Sequence, residues 1–176
     1  MSATPLVGIR RLLSRLDAIA EWTGRAVSWL TLAMVLATVA VVVMRYAFGQ
    51  GLIWLQESVN WMHAAVFMLG AAYTLKADEH VRVDVFYRGL GERGRAVVDL
   101  AGTLLLLLPL CVYLVAESWE YVELSWRIGE RSREAGGLPM LYLLKSLIPL
   151  MAVLLAIQGI AGGVRALLRL RAPADR

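Results

Sequence analysis

The sequence predicts an all-α integral membrane protein with four transmembrane helices and an N-terminal interfacial amphipathic helix. The main observation is that four stretches of 17 or more residues contain no charged side chain. An α-helix rises about 1.5 Å per residue, so each stretch crosses most of a hydrocarbon core about 30 Å thick. Apolar residues also make up 59% of the chain, more than is typical of soluble domains. The uncharged stretches are residues 27–44, 58–75, 100–116 and 146–164.

Residues 5–21 have the pattern of an amphipathic helix that precedes the first span. Apolar side chains recur at helical spacing, and the charged side chains mostly occupy the other positions. We therefore expect this segment to lie in the inner membrane interface. The first span then covers residues 27–46. The apolar positions of the segment are Leu6, Ile9, Leu13, Leu16 and Ala20.

The second span covers residues 53–75, and a short turn at residues 49–51 makes it an antiparallel hairpin with the first. It carries Glu57, Asn60 and His63, three polar residues at spacings of three that fall near one helix face. Farther along the same span, the run from Gly70 to Ala72 consists of small residues, which let another helix approach closely.

The remaining chain supplies a basic loop, two further spans and an outer arm, so that residues 1–176 form one membrane domain. Residues 76–95 form the loop, in which an extended piece and an interfacial turn are both compatible with the sequence. The third span covers residues 97–119, and Pro109 in its middle predicts a local kink. An outer arm over 120–138 ends in a Gly-Gly-Leu-Pro run, and the fourth span covers 141–164.

The distribution of basic residues predicts the orientation of the four spans. If the N-terminus is cytoplasmic, 13 of the 18 lysines and arginines fall on the cytoplasmic side and 5 on the other side. Only this orientation satisfies the positive-inside rule. The positive net charge is thus explained by topology and does not indicate a nucleic-acid partner. We expect a multi-pass protein of the bacterial inner membrane with both termini cytoplasmic.

Ionisable residues within a span are candidates for function, because burying them in lipid is costly. Glu57 lies about one turn inside the outer boundary, where it either reaches water, pairs with Arg45 or contacts a partner helix. His63 and His80 are separated by 17 residues, or about 25 Å along one helix, too far to ligate one haem within this chain. The sequence contains no recognisable catalytic motif, metal-ligand set or cofactor-binding motif, so we expect no enzymatic activity.

Residues 54–90 resemble the signature stretch of the small membrane subunit, of the DctQ type, of tripartite ATP-independent periplasmic (TRAP) transporters. The family pattern has a tryptophan and a glutamate at the start of the second span, then a glycine-alanine patch, then an H-[IV]-x-V-D element. The matching residues are Trp54, Glu57, Gly70, Ala71, Ala72, His80, Val81, Val83 and Asp84. The length, the four spans, the inside termini and the basic middle loop fit the family along the whole chain.

This resemblance implies an accessory permease subunit that scaffolds a large permease subunit in the lipid bilayer. It also implies ion-coupled import of an organic acid that a periplasmic binding protein delivers. The residues expected to contact the large subunit are Trp54, Glu57, Asn60, His63, Gly70, His80 and Asp84. Candidates for docking the binding protein are Glu120, Glu123, Glu130 and Glu134.

Two other classes of function remain compatible with four spans. One is a haem- or quinone-bearing membrane anchor of an oxidoreductase, which the low histidine count disfavours. The other is a homodimeric exporter that uses Glu57 as its proton site.

Overall fold

A computed structural model of the chain describes residues 4–80, Tyr87 and 89–171, and all regular structure in this part is helical. The predicted all-α class is therefore confirmed. The elements are α1 (Thr4–Phe48), α2 (Ile53–Lys76), α3 (Glu92–Gly102), the π-helical turn (Thr103–Leu107), α4 (Leu108–Arg127) and α5 (Leu141–Arg171). Helix α3 continues through the π-helical turn into α4, so the two form one long helical segment.

Three helical stretches in the described part of the chain are long and apolar enough to cross a membrane. They are Val7–Phe48, Glu92–Arg127 and Leu141–Arg171. Helix α2 has 24 residues, which gives it a length of about 36 Å, but several polar side chains lower its apolar character. The crossing by α2, and with it the count of four spans, stays a prediction.

Helix α1 joins the predicted interfacial segment to the first span without a break. The sequence predicts an amphipathic helix over 5–21 followed by a separate span, whereas the structure has one helix of 45 residues, about 67 Å long. Its buried side chains, Leu13, Ala20 and Val27, recur every seven residues, so one packing face runs through both parts. This shared packing face explains why the helix continues without interruption from one part to the other.

The predicted irregularity at Pro109 takes the form of the π-helical turn. This turn ends two residues before the proline, and the Leu108 N–H donates to the Thr103 carbonyl five residues back. Proline lacks an N–H and its ring clashes with the carbonyl four residues earlier, so a wider turn at this point relieves the conflict.

Helix α5 is the central element, because it packs against all the other helices. Most of its buried residues are small, which lets the neighbouring backbones approach closely. At Gly159, an added Cβ would lie 2.6 Å from Leu107 Cδ2 in the π-helical turn. The small buried residues of α5 are Ala152, Gly159, Ala161, Gly163 and Ala166.

Helices α1 and α2 approach each other closely at Gly24. An added Cβ at Gly24 would lie 2.5 Å from Cγ and 2.6 Å from Cβ of Tyr73. The Cβ atom of Tyr73 is fixed by the α2 backbone, so a side chain at position 24 would force the two helices apart. Next to this contact, Ala20, Ala72 and Leu154 form a small buried cluster where α1, α2 and α5 meet.

We expect Gly24→Ala to destabilise the protein by about 1–3 kcal/mol, because the added methyl group overpacks the α1–α2 contact. Gly8→Ala is the matched control, since Gly8 lies in the same helix and an added Cβ there meets nothing within 4 Å. The control should be neutral or slightly stabilising through helix propensity. Thermal unfolding of both variants in detergent measures the difference, and equal midpoints would contradict the proposed close contact.

Candidate functional site

Glu57 binds the outer loop of its own chain. This loop, defined as residues 128–140, connects α4 to α5. The Glu57 carboxylate accepts a hydrogen bond from the Leu138 N–H at 2.6 Å and another from the Ser132 hydroxyl. The sequence left open water, Arg45 or a partner helix as the contact of Glu57, and the structure instead gives it donors from a loop more than 70 residues away. Glu57 therefore fixes the outer loop on the end of α2.

Gly137 makes room for this contact. An added Cβ at position 137 would lie 2.7 Å from Glu57 Oε2 and 2.5 Å from Ser132 Oγ. Within the loop, the Ser132 N–H donates to the Leu138 carbonyl at 3.1 Å, which brings both donors to the same carboxylate. The contact therefore explains why the second glycine of the Gly-Gly-Leu-Pro run carries no side chain.

A second carboxylate, that of Glu130, anchors the start of the loop. It accepts hydrogen bonds from Lys145 and, at 2.6 Å, from the Ser125 hydroxyl. The Lys145 ammonium and the Ser125 hydroxyl lower the pKa of Glu130 below its ordinary value. Lys145 also lies 3.9 Å from the ring centre of Tyr121, so one cation ties α4, the loop and α5 together.

Near the opposite end of the bundle, two acids of α1 pair with different helices. Asp17 forms an ion pair with Arg165 of α5, and Gln158 Nε2 donates to Asp17 at 3.2 Å. One turn later, Glu21 pairs with Lys76 of α2 at 2.7 Å. These side chains are between 25% and 37% exposed in the pairs, so solvent screens them only in part.

Asn60 and His63 lie on a different side of α2 from Glu57. Both side chains are exposed, whereas Glu57 is partly buried beneath the outer loop. The sequence analysis placed Glu57, Asn60 and His63 near one helix face, but their side chains point in more widely separated directions. Each step of three residues turns the side chain by about 60° relative to the previous one, so Glu57 and His63 diverge by about 120°.

The other predicted interface residues are spread along α2 and past its end. Trp54 is exposed at the outer end of α2, and Gly70 borders a groove between α1 and α2. His80 is exposed after the end of the helix, and Asp84 lies outside the described residues. The structure therefore does not bring the predicted residues together as one cluster.

The four acidic residues proposed for docking the binding protein have different environments. Glu120, Glu123 and Glu134 are exposed on the outer arm, whereas Glu130 is engaged by Lys145 and Ser125. Glu130 is thus a structural carboxylate of the loop.

Sequence reasoning missed the polar network of Asp17, Glu21, Lys76, Gln158 and Arg165. One signal was available, because Gln158 is a lone amide in an uncharged stretch of 19 residues and is only 2% exposed. A buried amide needs a hydrogen-bond partner, which indicates a polar residue on a neighbouring helix. Which helix supplies the partner depends on the packing.

Comparison with known proteins identifies the family. Residues 34–169 match the family described as "Tripartite ATP-independent periplasmic transporters, DctQ component". The chain belongs to this family. It is also 33% identical over 89 residues to the C4-dicarboxylate TRAP transporter small permease protein DctQ of Vibrio cholerae serotype O1. That alignment covers 51% of this chain but only 38% of the relative's length.

The match confirms the resemblance to the DctQ type found in the sequence and does not favour a haem or quinone anchor. Members of the DctQ family are components of transporters. The part of this chain that matches the family contains α2, the outer loop and almost all of α5. The contacts of Glu57 and Glu130 with the loop therefore lie within the matched part.

We expect Glu57→Ala to release the outer loop while leaving the helices folded. The variant removes the acceptor of two hydrogen bonds to a charged group, each worth about 1.5–3 kcal/mol. Amide hydrogen exchange in residues 130–140 should rise by about tenfold or more, because the free energy of local opening falls when these hydrogen bonds are lost.

Gly137→Ala should have a similar effect, since its methyl group occupies the space of the carboxylate. Gly51→Ala in the other outer turn is the control, because an added Cβ there meets nothing within 4 Å. Unaltered exchange at Leu138 in both loop variants would show that the Glu57 contact does not hold the loop.

Proposed function

We propose that this chain is the small permease subunit of a TRAP-type secondary transporter and that it scaffolds the large permease subunit. In this proposal, the complex imports an organic acid with an ion gradient, after a periplasmic binding protein delivers the acid. The relative from V. cholerae is named for C4-dicarboxylates, so these are the first substrates to test. Exposed Glu120, Glu123 and Glu134 are the candidates for docking the binding protein.

The observation that carries the scaffold proposal is the internal engagement of the ionisable side chains. Asp17 and Glu21 connect α1 to α5 and α2, and Glu57 and Glu130 hold the outer loop on α2 and α5. In a proton-coupled carrier, acids within the membrane bind and release the transported proton. Acids that form fixed contacts between helices of the same chain support a rigid body, and a scaffold requires a rigid body.

We also propose that all four helical stretches cross the bacterial inner membrane, with both termini in the cytoplasm. Helix α2 is long enough to cross and packs along α1 and α5, which are themselves of membrane-spanning length. The asymmetric distribution of lysine and arginine supports the orientation.

The tagged chain should co-purify with a large permease subunit from native membranes. Mass spectrometry of the purified material identifies the partner. In liposomes, labelled succinate should accumulate only when the chain, the large subunit and the binding protein are combined under a sodium gradient. Accumulation by the isolated chain, or purification without a permease, would refute the scaffold role.

Labelling of single cysteines tests the topology. We expect Gly51→Cys to react with a membrane-impermeant maleimide added to intact spheroplasts, and Gly91→Cys to react only after the membrane is permeabilised. Both positions are exposed and an added Cβ meets nothing within 4 Å. The buried Cys111 is replaced by serine in both variants. Equal labelling of the two positions in intact spheroplasts would contradict the four-span topology.

A further inference from the structure

The outward face of α2 carries polar side chains in a continuous row. Gln56, Asn60 and His63 recur every three or four residues and are all exposed. In the part of the chain that the structure describes, the side chains of Asn60 and His63 have no hydrogen-bond partner. This row is distinct from Glu57, which is turned toward the outer loop.

These polar residues lie at the depth of the hydrocarbon core if α2 crosses the bilayer. His63 is about 15 Å along the helix from Ile53, which places it near the middle of a core about 30 Å thick. Many exposed side chains elsewhere on the long helices are apolar, as at Leu36, Val39 and Leu105. The exposed Thr38 hydroxyl donates to the Met34 carbonyl of its own helix. A polar side chain at this depth faces protein or a water-filled cavity, because lipid tails offer no hydrogen bond.

The same face continues inward into a groove between α1 and α2. The groove has a volume of about 470 Å³ and a largely apolar lining of mostly small residues. Phe67 stands at its edge and is 72% exposed. An added Cβ at Gly70 meets nothing within 4 Å, so the space in front of this glycine is open. From α1, the groove is lined by Gly24, Ser28 and Thr31.

We propose that this face of α2, together with the groove, is the seat of one transmembrane helix of the large permease subunit. The proposal rests on the proposed function and adds the surface and the character of the partner helix. That helix presents a hydrogen-bonding side chain opposite Asn60 and His63. About 10 Å further inward it inserts an apolar side chain in front of Gly70.

The occupant is a helix because of the chemistry of the face. A helix satisfies its own backbone within the bilayer and brings side-chain donors and acceptors to mid-membrane depth, which an acyl chain cannot do. Small residues in the groove let the two backbones approach closely, as at other helix contacts in membranes. In a homodimer through this face, Asn60 and His63 of one copy would have to form hydrogen bonds with those of the other copy. The crosslinking experiment below detects this alternative.

A photo-crosslinking amino acid at position 67 tests the proposal in cells that also produce the large subunit. Position 106 is the matched control, because Leu106 is 72% exposed, as Phe67 is, but belongs to the π-helical turn. The expected result is an adduct with the large subunit from position 67 and none from position 106. An adduct between two copies of this chain, an adduct from position 106 alone or no protein adduct at all would overturn the proposal.

This design separates the two levels of inference. If the wild-type chain fails to co-purify with a permease, the proposed function fails. If the chain co-purifies but position 67 gives no adduct with the permease, only the docking face fails.

Substitutions on the face provide a second, independent readout. The double variant Asn60→Leu, His63→Leu and the single variant Gly70→Leu should each reduce the yield of the complex by at least tenfold. The thermal midpoint of the isolated chain should stay the same or rise, because each change places apolar surface where the isolated chain has no contact. Gly102→Leu is the control, since an added Cβ at Gly102 also meets nothing within 4 Å. Undiminished yield of the complex in both face variants would overturn the docking face.

Discussion

The architecture depends on the requirement that acidic side chains near or within the lipid have a partner. Helix α1 places Asp17 and Glu21 one turn apart, and each finds a cation on a different helix. Removing one member of such a pair leaves the other charge without compensation, which costs most where the pair is shielded from water. The two pairs therefore fix the rotation and the height of α1 against α2 and α5 at the same time. Glu57 does the same for the outer loop, with a hydroxyl and a backbone N–H as its partners.

The polar contact between α1 and α5 forms because α5 lets the other helices come close. Its buried face consists largely of alanine and glycine, and the π-helical turn packs against Gly159 and Gly163. Between helices in a membrane there is little hydrophobic driving force, so close packing and hydrogen bonds carry the association. Gln158 lies on the same helix and reaches Asp17, which shows both contributions acting at one interface.

The helical class and the α2 boundaries were predictable from the sequence, because hydropathy is a local property. The cost of an intramembrane acid made Glu57 a candidate for contact with another subunit, whereas the structure gives it partners within the chain. The partners of Glu57 were not predictable, since Ser132 and Leu138 are brought to it by the packing of α5 against α2. The continuous α1 was missed for a related reason. A change from amphipathic to apolar composition indicates a change of environment, but the helix backbone itself is not interrupted there. At Pro109 the sequence located the irregularity, while the form it takes depends on the room that Gly159 leaves for Leu107.

The division of α2 into two faces links the fold to the function. Because Glu57 is directed at the outer loop, the acidic group of this helix is satisfied within the chain. The polar side chains of Asn60 and His63 are left exposed, and the proposed docking face assigns their hydrogen bonds to a helix of the large subunit. An acid that organises its own subunit and polar residues that face away from it are two separate uses of one helix. In the proposed complex, the internal contacts of this subunit would form before association, so binding would cost little conformational entropy and the exposed face would determine which helix is accepted.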